Sequence, residues 1–362
     1  MVELIFKSRL GIRFDLGTYP MRLVLYSKFL HRLFPIAPSS GAHSAYEIEA
    51  ESAIMEAPEF DEAPALAVLE SALSHVQWRL KSSSKRRLQI DAMALCAGMR
   101  PVVMVDYGGK LPELQQHLCA LLRFCHQESR IFEHLRVMLI EDMIYLVHRR
   151  GLAEHVRSSL NSEAQLFFVD LEQDPPQMIR EREDNVAAIQ LVSVQKIFSL
   201  HFPIIEQNNE SLPCNNTSIV STATSSVDDS TALGDPDCID LSSCLKDTKI
   251  SIPTLNGWLL GYPVVYLFST EHIEEAIYNL STKSLRIFKI LISRKKTRGK
   301  VTEPEEELMS FSVPYDLSMG GSREPWAEAF LSDMHERWGR CKPAWGALRM
   351  EVTECYPQAI VL

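Results

Sequence analysis

The stretch that most constrains this fold is Arg100–Cys125, RPVVMVDYGG followed by KLPELQQHLCALLRFC. Val102–Val105 are apolar and mostly β-branched, and the run ends at Asp106-Tyr107-Gly108-Gly109. Such side chains suit a buried strand, and glycines permit the sharp turn that closes it. Pro112 suits a first helical turn, after which Leu114, Leu118, Leu121, Leu122 and Cys125 fall at helical spacing. The pattern predicts a buried strand, a tight loop and a helix laid back over it.

Strands and helices alternate through the rest of the chain. Leu66, Leu69, Leu73, Val76 and Leu80 line a helix over Ala65–Leu80, Lys81–Arg87 (KSSSKRR) reads as a basic break, and Leu88–Ala97 as a second helix. Val137–His148 reads as two strands turned at Glu141-Asp142. Leu152, His155, Val156 and Leu160 mark a helix, with His155 partly exposed on its surface. Gln165–Val169 is a strand ending at Asp170, and Val186–Phe198 is a helix by its length. Pro253–Phe268 (PTLNGWLLGYPVVYLF) reads as a short apolar run, a Gly-Tyr-Pro turn and a strand, and Thr270 as the cap of a helix through Leu280. Ser284–Ser293 and the alternating Met309, Phe311 and Val313 are strands, as are Leu348, Met350 and Val352. The stripe Trp326, Phe330, Met334, Trp338 is a core-facing helix side. The expected architecture is α+β: a single mixed β-sheet domain with helices packed on it.

Charge divides the chain. Glu47–Ala63 holds seven acidic residues and no basic one, and Glu206–Asp247 holds eight against one lysine. Each stretch carries −7 of a total of −10, so the remainder is near +4 and the acidic balance says little about its partners. The second stretch, rich in Ser, Thr, Asn and Asp, cannot bury enough apolar surface to offset its ordering entropy. The expected organisation is a variable, largely disordered extension over 1–63, one α+β domain from 64–205 plus 250–362, and a disordered Ser/Thr/Asp-rich acidic insertion over 206–249. Within the extension, Leu23, Tyr26, Leu30 and Phe34 share a face; they suit a membrane-surface segment or a helix packing on the domain.

Eight cysteines form no CxxC pair, and no convincing secretory signal is visible, which points to a reducing interior, cytoplasmic or nuclear. No run reaches the roughly 20 apolar residues of a membrane span. The N-x-S/T triplets at Asn209, Asn215, Asn216 and Asn279 then read as chance.

Four landmarks recur in order: Arg100–Gly108, Leu255–Phe268, Ser310–Pro314 and a late helix bearing tryptophans. In that order they resemble an uncharacterised eukaryotic family, that of the human chromosome 1 open reading frame 74 product, from about residue 66 onward. The resemblance implies a soluble intracellular protein and brings no activity, cofactor or catalytic residue.

Chemistry is confined to a few candidates. Asp106, at the carboxyl end of a strand and before two glycines, is placed where an acid reaches a crevice; it equally suits capping its turn. Asp170 has the same setting, and two such acids converging could hold a divalent metal or a substrate, or each could simply form a turn. Tyr107 and Gly108, with Asn256, Gly257, Gly261 and Tyr262, are candidate pocket-lining residues, the glycines serving close approach or a turn. Phosphate loops, the HExxH and GxSxG motifs and zinc spacings are absent, so no metal site and no cofactor is implied. The basic run Arg294–Lys300 is offset by Glu303–Glu307, so no nucleic-acid partner is expected. The function is unknown from these residues. They favour a protein-interaction module without catalysis, with protein partners, over an enzyme processing a small molecule or phosphate through Asp106, alone or with Asp170 and a divalent metal.

Overall fold

The computed structural model describes residues 62–161, 166–179, 185–204, 237–294, 305–341 and 345–360. The expected extension up to residue 61, the insertion from 205 to 236, the glycosylation triplets before 237 and the basic run beyond Arg294 lie outside them. Chain order is α1 (Glu62–Val76), α2 (Ser82–Cys96), β1 (Val102–Met104), α3 (Glu113–Glu128), β2 (Leu135–Ile140), β3 (Met143–His148), α4 (Arg149–Leu160), β4 (Phe167–Asp170), β5 (Gln177–Ile179) and α5 (Val186–His201). Then come β6 (Cys238–Asp240), α6 (Ser242–Leu245), α7 (Ile252–Leu259), β7 (Val264–Leu267), α8 (Ile273–Ser281), β8 (Leu285–Arg294), β9 (Glu306–Pro314), α9 (Pro325–Arg340) and β10 (Trp345–Cys355).

The chain is α+β, but its described strands form three sheets instead of one. The β2–β3 hairpin sits inside the first, ordered β1-β3-β2-β6. Its two-residue turn is held by Glu141 at φ 55, the left-handed value such turns require at their first central position. The second sheet runs β5-β4-β7, with β4 parallel to β7, and the third is the antiparallel order β10-β8-β9. Helical and strand periods were legible locally; which strands hydrogen-bond is a matter of long-range packing.

Three further expectations are corrected. Lys81–Arg87 is not a break: α2 starts at Ser82 and carries Arg86 and Arg87 within it. Pro253–Leu259 is helix α7, capped by Ser251, whose side chain accepts from the Thr254 N–H. The insertion does not extend to 249. Asp237 is already 8% exposed, β6 adds to β2 in parallel, and α6 follows.

One core joins α1, α2, α3 and the first sheet to one end of the third sheet, through Leu69, Leu88, Leu118, Leu146, Ile290 and Trp345. A second lies between the second and third sheets, α8 and α9, where Phe288 stacks on Phe311 at 5.3 Å and meets Trp326 edge-on at 4.9 Å. Burying each such ring contributes about 1.5–3 kcal/mol. The α9 stripe packs as expected, with Trp326 and Met334 buried and Phe330 and Trp338 packed against the cores.

Candidate functional site

The carboxyl end of β1 gathers three of the sequence candidates. Asp106 is exposed, yet protein atoms on its inner side displace water and push its carboxyl above the ordinary range, against the pull of its own backbone N–H and of Arg87. Tyr107 turns inward, and its hydroxyl donates to Asp91 Oδ2 at 2.8 Å. Gly108 takes φ +86 beneath Trp78, whose Nε1 donates to the Gly108 carbonyl at 2.9 Å.

Asp91, on α2, is fully buried and also accepts from Arg87 Nε at 3.0 Å, with Arg87 Nη2 2.8 Å from its other oxygen. Arg87 goes on to donate to the carbonyls of Glu307 (2.6 Å) and Leu308 (3.2 Å) at the start of β9. Arg100 donates from Nη1 to the same Leu308 carbonyl at 3.2 Å. Arg100 is 4% exposed, its Nε has no partner among the described residues, and burial lowers its pKa. Tyr262 stands within the field of Arg100 and Arg87; burial raises its hydroxyl and the two guanidiniums oppose the rise. Asp106, Tyr107 and Tyr262 therefore surround a buried Arg–Asp–Arg network that ties α2 and β1 to β9. Sequence reading missed Arg87, Asp91 and Arg100. An Arg and an Asp at i and i+4 inside a helix were the available signal, hidden once the helix start was read as a break.

Asp170 belongs to a different place. It ends β4 in the second sheet, its Oδ1 accepts from the Glu172 N–H at 2.8 Å, and its Oδ2 from Asn185 Nδ2 at 3.4 Å. Burial raises its carboxyl, the Glu172 N–H opposes the rise, and the nearby charges are those of Glu172 and His272, whereas the charges acting on Asp106 include Arg87 and Asp91. The two acids occupy separate electrostatic neighbourhoods. Nearby, His272 Nδ1 is approached both by Ser269 Oγ (2.8 Å) and by Glu172 Oε1 (3.2 Å). A nucleophile relay needs hydroxyl and acid on opposite ring nitrogens, so these groups form a helix-start network and not a triad. Among the described residues no group of three His, Cys, Asp or Glu has the geometry to hold a metal.

The Leu255–Tyr262 string is packing chemistry. Asn256 Oδ1 accepts from the Tyr145 hydroxyl at 2.6 Å. A Cβ at Gly257 would meet Val265 Cγ1 at 3.3 Å, so its lack of a side chain lets α7 lie close on β7. Gly261, at φ +75, ends α7: its N–H bonds the Trp258 carbonyl and the Tyr262 N–H bonds that of Gly257, the paired closure of a Schellman motif. Trp258 is fully buried, with its Nε1 donating to Ser159 Oγ at 3.0 Å and His155 stacked on it at 5.5 Å.

A cavity of about 550 Å³ opens elsewhere, where the first turn of α4 meets the end of α5; Arg149, Arg150 and His134 line it with Phe202, Pro203 and Ile204. None of these was singled out from sequence, because the wall forms only when two helices separated by two strands are packed together.

With the fold and these sites in place, the chain matches one family model over residues 70–362, described as a domain of unknown function, DUF4504. It belongs to that family. No curated protein and no solved structure matches the chain. The match spans every described element except the start of α1, so the β1-end network and the α4–α5 cavity both lie within the family domain. Membership assigns no activity, and the function is unknown. No described helix is long and apolar enough to cross a membrane.

Proposed function

We propose that this member of the family is a protein-interaction module without catalysis of its own. The observation that carries the reading is α5. Its inner face is buried through Ala187, Ala188, Leu191, Val194 and Phe198, yet its outer side also carries apolar residues at both ends, with Ser193 and Lys196 between them. Val186 is 66% exposed, Ile189 51% and Leu200 80%, and Ile204 just beyond the helix is 44% exposed. Large apolar side chains left this exposed at the ends of one helix mark a surface that another molecule covers. The test is proximity labelling in cells with the full chain and with an Ile189→Glu/Leu200→Glu variant. The reading expects a defined set of partners lost in the variant at unchanged thermal stability. An identical partner set in both would sink it.

A second reading, an enzyme acting on a small molecule or a phosphate compound, draws on one observation: the exposed Asp106 carboxyl is held above its ordinary range beside Arg87 and Tyr107, the usual way a proton donor is prepared. A thermal-shift screen against nucleotides and phosphorylated metabolites tests it. A ligand at about 100 times its Kd adds roughly 2.7 kcal/mol, and Asp106→Asn should abolish that response. We further infer that the chain is a eukaryotic protein of the chromosome 1 open reading frame 74 kind, on the string Leu255–Phe268. The lack of any CxxC pair among the eight cysteines supports a reducing compartment, cytoplasmic or nuclear.

A further inference from the structure

The α4–α5 cavity has a chemistry that specifies what covers the exposed apolar side chains of α5, and the inference rests on the interaction reading above. Its apolar lining comes from Phe202, Pro203 and Ile204 after α5 and from Ala153 on α4. Its charged lining comes from Arg149 and Arg150, both exposed and both in the first turn of α4. That is the helix end whose dipole opposes cations, so the two charges add to a potential that is already positive. Neither arginine has a carboxylate partner among the described residues. Glu154, the acid at the rim, is engaged by Arg157 from Nε at 3.2 Å and Nη2 at 2.5 Å. Glu133 faces His134 at 3.4 Å. The imidazole of His134 is depressed first by burial and then by Arg150, with Glu133 opposing and Arg136 and Arg149 adding to the fall. The adjoining outer side of α5 runs along a helix of 16 residues, about 24 Å at the usual helical rise.

We propose that this cavity and the outward face of α5 dock an acidic amphipathic helix of a partner protein. Its apolar side chains cover Leu200 and Ile204, and its carboxylates pair with Arg149 and Arg150. Arginine suits this role because its planar fork takes a carboxylate through two hydrogen bonds. The apolar lining gives area and the arginines give sign and register, the division of labour seen in helix-in-groove recognition.

The experiment uses the full chain and a fluorescein-labelled peptide of about 16 residues, with Leu at helical i, i+3, i+4, i+7 positions and Glu elsewhere. Two control peptides replace Glu by Lys or Leu by Ser. Fluorescence anisotropy should show binding of the Glu/Leu peptide alone, weakening roughly tenfold as salt rises from about 0.05 M to about 0.3 M. Arg149→Glu/Arg150→Glu and, separately, Leu200→Glu should each cost about tenfold in Kd. An Arg149→Gln/Arg150→Gln pair, neutral at exposed positions, should keep the thermal stability and lose binding to a lesser degree. Equal binding of the Lys peptide, binding indifferent to the arginine changes, or no binding at all would overturn the proposal. If peptide binding fails while Ile189→Glu/Leu200→Glu still loses partners in cells, the acidic-helix assignment falls and the interaction reading stands. If that variant loses no partner, the reading itself falls.

Discussion

Replacing Asp91 by asparagine removes the charge on which the β1-end network depends. The carboxylate is fully buried and accepts from Tyr107 and from Arg87 Nε, with Arg87 Nη2 ion-paired 2.8 Å from its other oxygen. An amide can still accept the tyrosine proton, but its NH₂ cannot face a guanidinium. Breaking a buried pair by removing one partner costs about 3–5 kcal/mol, because the other charge stays behind unpaired. Here the Arg87 side chain is 31% exposed and keeps the carbonyls of Glu307 and Leu308. That relief places Asp91→Asn at the low end, about 3 kcal/mol. Tyr107→Phe, which deletes one hydrogen bond to a charged acceptor, should cost about 1.5 kcal/mol. Urea denaturation at pH 7 measures both, with the midpoint falling and the m-value unchanged. Because the residues share one network, the double variant should fall short of the sum by roughly 0.5–1 kcal/mol. A loss under 1 kcal/mol for Asp91→Asn, or strict additivity with Tyr107→Phe, would refute the claim that this network joins α2 and β1 to β9.

Gly108→Ala adds a methyl 2.7 Å from both Leu80 Cδ2 and Trp78 Cζ2 at a φ of +86. Left-handed strain and overpacking together should cost about 3 kcal/mol, and an unchanged Tm on heating would contradict the geometry. Asn279 is 2% exposed and donates through Nδ2 to the carbonyls of Leu171 (2.8 Å) and Gln173 (2.9 Å). Asn279→Asp should lower stability by at least about 3 kcal/mol by setting a buried carboxylate against two carbonyls; a thermal melt matching wild type would show those bonds to be unimportant. His148 and His155 are held at about 4, well below the ordinary histidine range, chiefly by burial. Below pH about 6.5 the unfolded chain takes up protons that the folded one refuses, so their contribution is full above that pH and is lost as pH falls toward about 4. His155→Gln, which keeps a donor for the Trp258 carbonyl, should flatten the plot of urea midpoint against pH between about 4 and 7. Parallel plots for the two proteins would contradict it.

Much of the β1-end site could be read in advance because its signals are local. A β-branched run ending in Asp-Tyr-Gly-Gly announces a strand, a turn and an acid at its mouth, and Asp106, Tyr107 and Gly108 stand there. Tyr262 joined the same list, but its approach to Arg100 was invisible, since 162 residues of chain separate the two. Asp170 illustrates the opposite outcome. Its strand-end setting is identical in sequence terms, yet β4 pairs with β7 and β5 in another sheet, so the acid serves its own turn beside Glu172. The helix at Ile252–Leu259 escaped because it is short and mostly apolar, which periodicity alone cannot tell from a buried strand.

By itself the amino-acid sequence determined the elements with a clear period or cap: α3, the β2–β3 hairpin, the α9 stripe and the alternating strands of the third sheet. These depend on neighbours within a few residues, where side-chain spacing and backbone preference act directly. Tertiary structure alone decided that the described strands divide into three sheets, that Arg87, held by Asp91, meets Arg100 at the Leu308 carbonyl, and that Arg149 and Arg150 line one cavity with Phe202. Those outcomes follow from burying all apolar faces at once, a condition on the whole chain that no single window of sequence contains.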